Sequence, residues 1–178
     1  MALCLYLPSG LLYPVGESRR LRPRRPPPTH DNEAIRMKIS ARNQFHGKVV
    51  SVTPGAVNAE VTLALPGGQE IVAMVTIESV KSLNLQPGVD VVALFKASSV
   101  LVMTDGSGVR LSARNSLAGT VSGLEVGPIH AEVTITLPSG DEVHATVTHK
   151  ACEALGLKEG VPATAVIKAP QVILGVPV

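Results

Sequence analysis

Cations and hydroxyl groups recur at matching positions in the two halves of this 178-residue chain. The matched pairs are Ser40 and Ser112, Arg42 and Arg114, Asn43 and Asn115, Thr76 and Thr148, and Lys96 and Lys168. Arginine offers a planar fork of N–H donors, lysine offers a point charge, and the hydroxyls offer further donors. This combination suits a tetrahedral oxyanion. The same residues suit strand caps and exposed ion pairs equally well, and sequence spacing does not show that Arg42 and Lys96 converge.

Three further features of the repeat bear on this chemistry. Thr76 and Ser79 fall at the start of a predicted short helix, where free backbone N–H groups and the helix dipole favour an anion. Glu60 and Glu132 are also matched, and we expect each to pair with a cation or to line a polar face. The counterpart of Ser79 is Ala151, so the second set lacks one hydroxyl. The sequence therefore predicts two similar but unequal sets.

The matching positions belong to an internal repeat with a constant offset of 72 residues. Residues 39–102 (copy one) align with residues 111–174 (copy two) without a gap. A period of this length that occurs only twice indicates a duplicated small domain and not a solenoid. We therefore expect a first domain at 37–104 and a second at 109–178. Domains of this size bury little surface, so we also expect the chain to oligomerise.

Each copy carries mainly strand signals. In copy one, residues 57–65 alternate apolar and polar side chains, which is the period of a half-buried strand. The predicted strands cover 45–52, 57–65, 70–76, 89–96 and 100–104, and Thr76 begins a helix that Pro87-Gly88 ends. Five strands with one short helix between the third and fourth is the order of an OB-like barrel. The predicted fold class is therefore mainly β, with two tandem OB-like five-stranded barrels that each carry one short helix.

Residues 1–36 differ from the repeat in composition and charge. They hold six arginines against three acidic residues, and the segment 19–28 reads RRLRPRRPPP. Proline removes backbone donors and the arginines repel one another, so we expect a disordered extension before the barrels. Repeat-like sequence starts abruptly at Met37, and our hypothesis is that translation begins there and that the extension is an artefact of the start site. The rest of the chain has ten basic and eleven acidic residues, too balanced to attract a polyanion.

Several functional classes lack their sequence signature. No glycine-rich loop is followed by Lys and Ser/Thr, which excludes a P-loop nucleotide hydrolase. The five histidines do not recur at matching positions and lack the Cys/His spacing of a zinc site. The two cysteines, Cys4 and Cys152, form no disulfide framework, and Cys152 is expected in the core. No apolar run approaches the roughly 20 residues that cross a bilayer. We therefore expect no catalysis, no membrane contact and a cytoplasmic location.

Three motifs carry a family resemblance. They are Ser-Ala-Arg-Asn at the start of each copy, Gly-Ala-Val-Asn-Ala-Glu-Val at 55–61 and Val-Ile-Lys-Ala at 166–169. In this order they resemble the molybdenum-pterin-binding, or Mop, domain family, and the tandem form over 37–178 resembles the di-domain molbindins. The resemblance implies an OB-like barrel for each copy, a homotrimer, and molybdate or tungstate bound at interfaces between domains. It also implies cytoplasmic storage of the oxyanion for molybdenum homeostasis.

The oxyanion ligands that the resemblance implies are carried over by position. In copy one they fall on Ser40, Arg42, Thr76 and Ser79, with Lys96 and the Ala97 amide supplied by a neighbouring domain. In copy two they fall on Ser112, Arg114 and Thr148, with Lys168 and the Ala169 amide. A second class of anion site, near the trimer axis, falls on Val57 and Asn58 and on Ile129 and His130. No residue is expected to bind a metal cation directly.

Two other functions fit parts of the sequence. A nucleic-acid binder of the OB type stacks bases on aromatic side chains in a basic groove. The only aromatic residues in the two copies are Phe45 and Phe95, and neither is kept in both copies. We therefore expect no nucleic-acid partner for the barrels. A molybdate-sensing module that acts through a partner protein fits the same ligand set, because Mop-like domains also resemble the sensor portions of molybdate-responsive repressors and of transporter ATPase subunits.

Overall fold

A computed structural model describes residues 38–106 and 108–177. The predicted disordered extension at 1–36 and the hypothesis of a start at Met37 therefore lie outside the described residues. Both copies belong to one compact unit. Each copy contains five strands and one short α-helix, in the order that the sequence predicts.

The strands and helices of the two copies correspond one to one. Copy one contains β1 (Asn43–Pro54), β2 (Asn58–Ala64), β3 (Glu70–Thr76), α1 (Ile77–Ser82), β4 (Asp90–Phe95) and β5 (Leu101–Met103). Copy two contains β6 (Asn115–Val126), β7 (His130–Thr136), β8 (Glu142–Thr148), α2 (His149–Ala154), β9 (Pro162–Ile167) and β10 (Ile173–Gly175). A single 3-10 turn precedes the last strand of each copy, at Ala97–Ser99 and at Ala169–Gln171. The predicted mainly β fold is confirmed.

The two copies exchange their last strands. The sheets have the orders β10-β4-β1-β2-β3 and β5-β9-β6-β7-β8, and each is antiparallel. Leu94 of β4 therefore pairs with Ile173 of copy two, and Val166 of β9 pairs with Leu101 of copy one. A strand pattern predicts a strand but not its neighbour, which is why the sequence did not show the exchange. Neither sheet is complete without the other copy.

A shared hydrophobic core lies beneath both sheets. The alternation predicted for copy one is observed in β2, where Ala59, Val61 and Leu63 are fully buried. The two phenylalanines, Phe45 and Phe95, stack with ring centroids 5.5 Å apart. Buried residues from both copies form one continuous cluster. The two copies therefore share one hydrophobic core. The exchange also places the residues just before β1 against copy two and those just before β6 against copy one.

Candidate anion-binding sites

The side chain of Arg42 reaches from the start of β1 to copy two. Its Nη2 donates to Glu132 Oε1 at 2.7 Å and to Thr146 Oγ1 at 3.3 Å, and its Nη1 donates to Glu132 Oε2. The hydrogen bond from Arg42 lowers the pKa of the Glu132 carboxyl, and the same bond raises the pKa of Arg42. Both side chains are nearly half exposed. A bidentate ion pair at the surface therefore occupies both terminal nitrogens of this guanidinium.

The side chain of Arg114 makes the reciprocal contact from the start of β6. Its Nη2 donates to Glu60 Oε1 of copy one at 2.8 Å. Only this single hydrogen bond joins the two side chains, in contrast to the bidentate pair at Arg42. The expectation that Glu60 and Glu132 pair with a cation is confirmed. Each arginine pairs with the carboxylate of the opposite copy, which the sequence did not predict.

Two buried asparagines join the starts of β1 and β6 to the other copy. The Asn115 side chain accepts from Val72 N at 2.7 Å and donates to Val72 O at 2.8 Å. The Asn43 side chain makes the same two bonds with the backbone of His144, at 2.7 and 2.9 Å. Each amide thus pairs with the edge of a strand in the other copy as a neighbouring strand would. The sequence showed that both asparagines are matched, but it did not show this role.

The predicted helix starts are confirmed at both threonines. Thr76 Oγ1 accepts from the Ser79 backbone N–H at 3.1 Å and lies 2.8 Å from the Ser79 hydroxyl. Thr148 Oγ1 accepts from the Ala151 backbone N–H, also at 3.1 Å, but no hydroxyl stands at residue 151. These contacts are the N-caps of two six-residue helices. The helix start of copy one therefore carries a second hydroxyl that the helix start of copy two lacks.

The residues of the second predicted class lie directly beside these helix starts. The Val57 carbonyl accepts from the first backbone N–H of α1 at 3.0 Å, and the Ile129 carbonyl accepts from that of α2 at 2.9 Å. Asn58 faces Thr76 across the β2–β3 pair, and His130 faces Thr148 across the β7–β8 pair. Val57 and Ile129 are about 70% exposed.

The two lysines and the amides that follow them lie at the 3-10 turns. Lys96 and Lys168 are exposed, whereas Ala97 and Ala169 are buried. Within residues 38–106 and 108–177, neither lysine forms an ion pair. Their charges are therefore available to a ligand.

An open groove of about 470 Å³ brings one lysine together with a predicted hydroxyl. It is lined by Ser98, Ser99, Leu101, Leu111, Ser112, Ala113, Val166, Lys168 and Gln171. Ser99 donates to Gln171 Oε1 across the groove at 3.2 Å. The sequence places Ser112 and Lys168 in one predicted set but does not point to Ser98, Ser99 or Gln171. Ser99 and Gln171 are counterparts in the repeat but differ in type, and the counterpart of Ser98 is Pro170, so none of the three is kept in both copies.

The contacts of the two arginines place each of them near predicted ligands of the other copy. Arg42 lies against β7 and β8, and β8 ends at Thr148. Arg114 lies against β2, whose neighbour β3 ends at Thr76. The 3-10 turn Ala169–Gln171 also packs on β3, and the turn Ala97–Ser99 packs on β8. In the described part of the chain, no hydrogen bond joins Arg42 to Thr76 or to Lys96.

Two histidines of copy two have shifted pKa values with opposite directions. Burial lowers the pKa of His144, whose Nδ1 lies 3.2 Å from Thr134 Oγ1. A hydrogen bond with the Gly127 carbonyl at 2.8 Å raises the pKa of His149, and Glu153 adds to this effect. No group of three or more His, Cys, Asp or Glu side chains in the described ranges could hold a metal ion. Cys152 is buried, as predicted.

No helix among the described residues is long and apolar enough to cross a membrane. The candidate sites consist of exposed cations and hydroxyls where the two strand-exchanged copies meet.

Comparison with known proteins identifies the repeat. The model of the TOBE domain matches residues 39–102 and 111–174, which are the two copies. The molybdenum-pterin-binding protein MopA of Rhodobacter capsulatus is 44% identical over 144 residues, which are 81% of this chain and 54% of that protein. The molybdenum transport protein ModE of Azotobacter vinelandii is 46% identical over 143 residues, which are 80% of this chain and 53% of that protein. The chain thus spans about half the length of these relatives.

A solved structure matches over its whole length. It is the molybdate-bound crystal structure of the cytoplasmic molybdate-binding protein ModG, which is 57% identical with a TM-score of 0.78. The match covers 79% of this chain and 100% of that chain. These findings confirm the resemblance to the tandem Mop proteins. The chain belongs to the TOBE domain family, of which it carries two tandem copies.

Proposed function

We propose that this protein binds molybdate at sites built from both copies, without catalysing a reaction. The observation that carries the proposal is the reciprocal placement of the matched cations. Each Ser-Ala-Arg-Asn segment is held against the other copy by its asparagine, and its arginine lies at the surface of that junction. Similarity to a molybdate-bound structure at 57% identity supports molybdate as the ligand.

The proposed ligands are those predicted from the sequence. They are Ser40, Arg42, Thr76, Ser79, Lys96 and the Ala97 amide, and Ser112, Arg114, Thr148, Lys168 and the Ala169 amide. A charge-assisted hydrogen bond contributes about 1.5–3 kcal/mol net, so a few of them suffice to hold a small dianion. Binding needs no covalent step. Because arginine and lysine keep their charge near neutral pH, the affinity is expected to change little between pH 6 and 8.

The finer assignments concern setting and assembly. We propose that the protein stores molybdate in the cytoplasm, that it takes tungstate as well, and that it assembles as a homotrimer. Tungstate is included because it is a tetrahedral dianion like molybdate. Light scattering on the 18.5-kDa chain tests the assembly, since a trimer has three times the mass of one chain. A monomer at micromolar concentration would contradict the trimer but not the binding.

Calorimetric titration of the full chain with molybdate, tungstate and sulfate tests the central proposal. Molybdate and tungstate are expected to bind, with sulfate weaker, and saturating molybdate is expected to raise the melting temperature by mass action. The double variant Arg42→Ala, Arg114→Ala is expected to lose most of the affinity. Lys158→Ala, which removes an exposed lysine that is not among the proposed ligands, is the matched control and is expected to bind normally.

The possible outcomes test the identity of the ligand and the assignment of the binding residues separately. If the wild-type protein gives no heat and no thermal shift with molybdate, the function is wrong. If the wild type binds and the double arginine variant binds equally well, the ligand assignment is wrong. Circular dichroism shows whether the variant is still folded. This control is needed because each substitution also breaks an ion pair at the surface.

Regulation is a second candidate function. The relatives named ModE, including the transcriptional regulator ModE of Yersinia pestis at 34% identity over 139 residues, support it. Deletion of the gene distinguishes the two roles. For a storage protein we expect less cell-associated molybdenum after a molybdate pulse, with unchanged transcript levels. For a sensor we expect changed transcripts with an unchanged molybdenum content.

A further inference from the structure

We infer that Glu60 and Glu132 are internal competitors of the oxyanion, each occupying the arginine of the opposite copy, and that they hold the two arginines unequally. This inference rests on the proposed function. The carboxylate of Glu132 takes both terminal nitrogens of Arg42, whereas Glu60 takes one nitrogen of Arg114. A guanidinium presents the same fork of donors to a carboxylate and to an oxyanion, so the two acceptors exclude each other on that face.

Both ion pairs are exposed enough for an oxyanion to displace them. The side chains of Arg42 and Glu132 are 42% and 49% exposed, and those of Arg114 and Glu60 are 58% and 31% exposed. Ion pairs with this much exposure are weak, so a dianion that also gains lysine and hydroxyl donors can replace the carboxylate. The carboxylates therefore reduce the affinity without abolishing binding.

The difference between the two pairs predicts two classes of site. At Arg114, Nη1 and Nε make no hydrogen bond within the described residues, so an anion can begin to bind before Glu60 leaves. At Arg42, the anion must break a bidentate pair and also compete with Thr146. The site at Arg114 is therefore the tighter of the two, and Glu132 imposes the larger penalty.

Molybdate titrations of Glu60→Gln and Glu132→Gln in the full chain test the inference. Glutamine keeps the size of the side chain but removes the charge that holds the guanidinium. We expect Glu132→Gln to tighten the weaker class about fivefold and Glu60→Gln to tighten the stronger class about twofold, which is the range that exposed ion pairs span. The double variant is expected to bring the two classes closer together.

Glu125→Gln is the matched control. Glu125 acts on Arg42 through its charge alone, and no hydrogen bond joins the two side chains in the described structure. Its replacement is expected to change the affinity by less than about twofold. Melting curves without molybdate show whether each variant is folded.

Three results have distinct meanings. Weaker binding in Glu132→Gln would show that the carboxylate positions Arg42 for the anion, and it would overturn the competition. Unchanged binding in both variants would overturn it too. If the wild type itself does not bind molybdate, the proposed function is wrong; a gain of binding in the glutamine variants would still support the competition, and no gain would overturn it.

Discussion

Gly67 lies directly against Ser139, its own counterpart in copy two. A Cβ atom on Gly67 would lie 3.2 Å from Ser139 Cα and would overlap the Ser139 Cβ. The two residues occupy the β2–β3 turn and the β7–β8 turn, so equivalent turns of the two copies meet. Such self-matching contact is typical of a two-fold relation. The reciprocal arginine and asparagine contacts obey the same relation, and at its axis there is room for only one side chain.

Replacement of Gly67 by alanine is expected to destabilise the protein. The added methyl group has to displace Ser139 and the turn that carries it, and overpacking of this kind costs about 1–3 kcal/mol. Urea unfolding followed by circular dichroism measures the loss. The matched control is the exchange variant Gly67→Ser, Ser139→Gly, which restores one side chain and one glycine at the contact. If Gly67→Ala alone is as stable as the wild type, the two turns do not meet in solution.

Replacement of the buried asparagines by alanine is expected to lower the free energy of unfolding, because each asparagine side chain bonds two backbone groups of the other copy. Asn115→Ala leaves Val72 N and Val72 O without partners, and an orphaned buried polar group costs about 1–3 kcal/mol. Asn43→Ala is expected to cost less, since its bonds to His144 are only partly buried. Denaturant unfolding of both variants gives the order. A larger loss of stability for Asn43→Ala than for Asn115→Ala would contradict the expectation that the more deeply buried bonds contribute more.

The local features of the fold could be predicted from the sequence because they depend on neighbouring residues. The alternation in β2 and the threonine that caps α1 follow from side-chain period and hydrogen-bond chemistry. The exchange of β5 and β10 could not be predicted, because both copies carry the same strand pattern and either strand would fit either sheet. A repeat shows which residues are equivalent, but not which equivalent residues meet.

The same limit applies to the candidate sites. The repeat selected Arg42, Arg114, Lys96 and Lys168 as matched cations, and the structure places all four at the surface. The repeat did not show that each arginine faces the carboxylate of the other copy, because these pairs join residues 90 and 54 positions apart in sequence and depend on the exchanged arrangement. Ser99 and Gln171 were missed for a related reason, since they differ between the copies.

The pH dependence of stability is expected to have an acid limb that depends on His144. Burial lowers its pKa below 6.5, although Glu142 and Glu132 oppose the shift and Arg42 adds to it. The unfolded chain therefore binds the proton more tightly than the folded chain does. The contribution of the neutral imidazole is complete above pH 6.5 and is lost as the pH falls through the lower, folded pKa. His144→Val, which installs the copy-one residue, is expected to flatten this loss in urea unfolding at pH 5 to 8.

His149 provides a control of opposite sign. Its pKa is raised by the Gly127 carbonyl and by Glu153, so its contribution is present below pH 6.5 and is lost as the pH rises through the folded value. His149→Ile, again the copy-one residue, is expected to remove a loss of stability on the alkaline side of pH 6.5. If both variants change the same limb, the two assignments cannot both be correct.

The inequality between Ser79 and Ala151 is expected to be reversible by substitution. In copy one, the Ser79 hydroxyl lies 2.8 Å from Thr76 Oγ1, and Ala151→Ser would place a hydroxyl at the same point beside Thr148. If the proposed ligand set is correct, one charge-assisted hydrogen bond is added, which corresponds to about 1.5–3 kcal/mol, or roughly a ten- to hundredfold gain in molybdate affinity. Ser79→Ala is expected to lose a similar factor, and two-site calorimetry measures both. Opposite changes in the two variants support a hydroxyl ligand at the helix start, whereas no change in either excludes this position from the site.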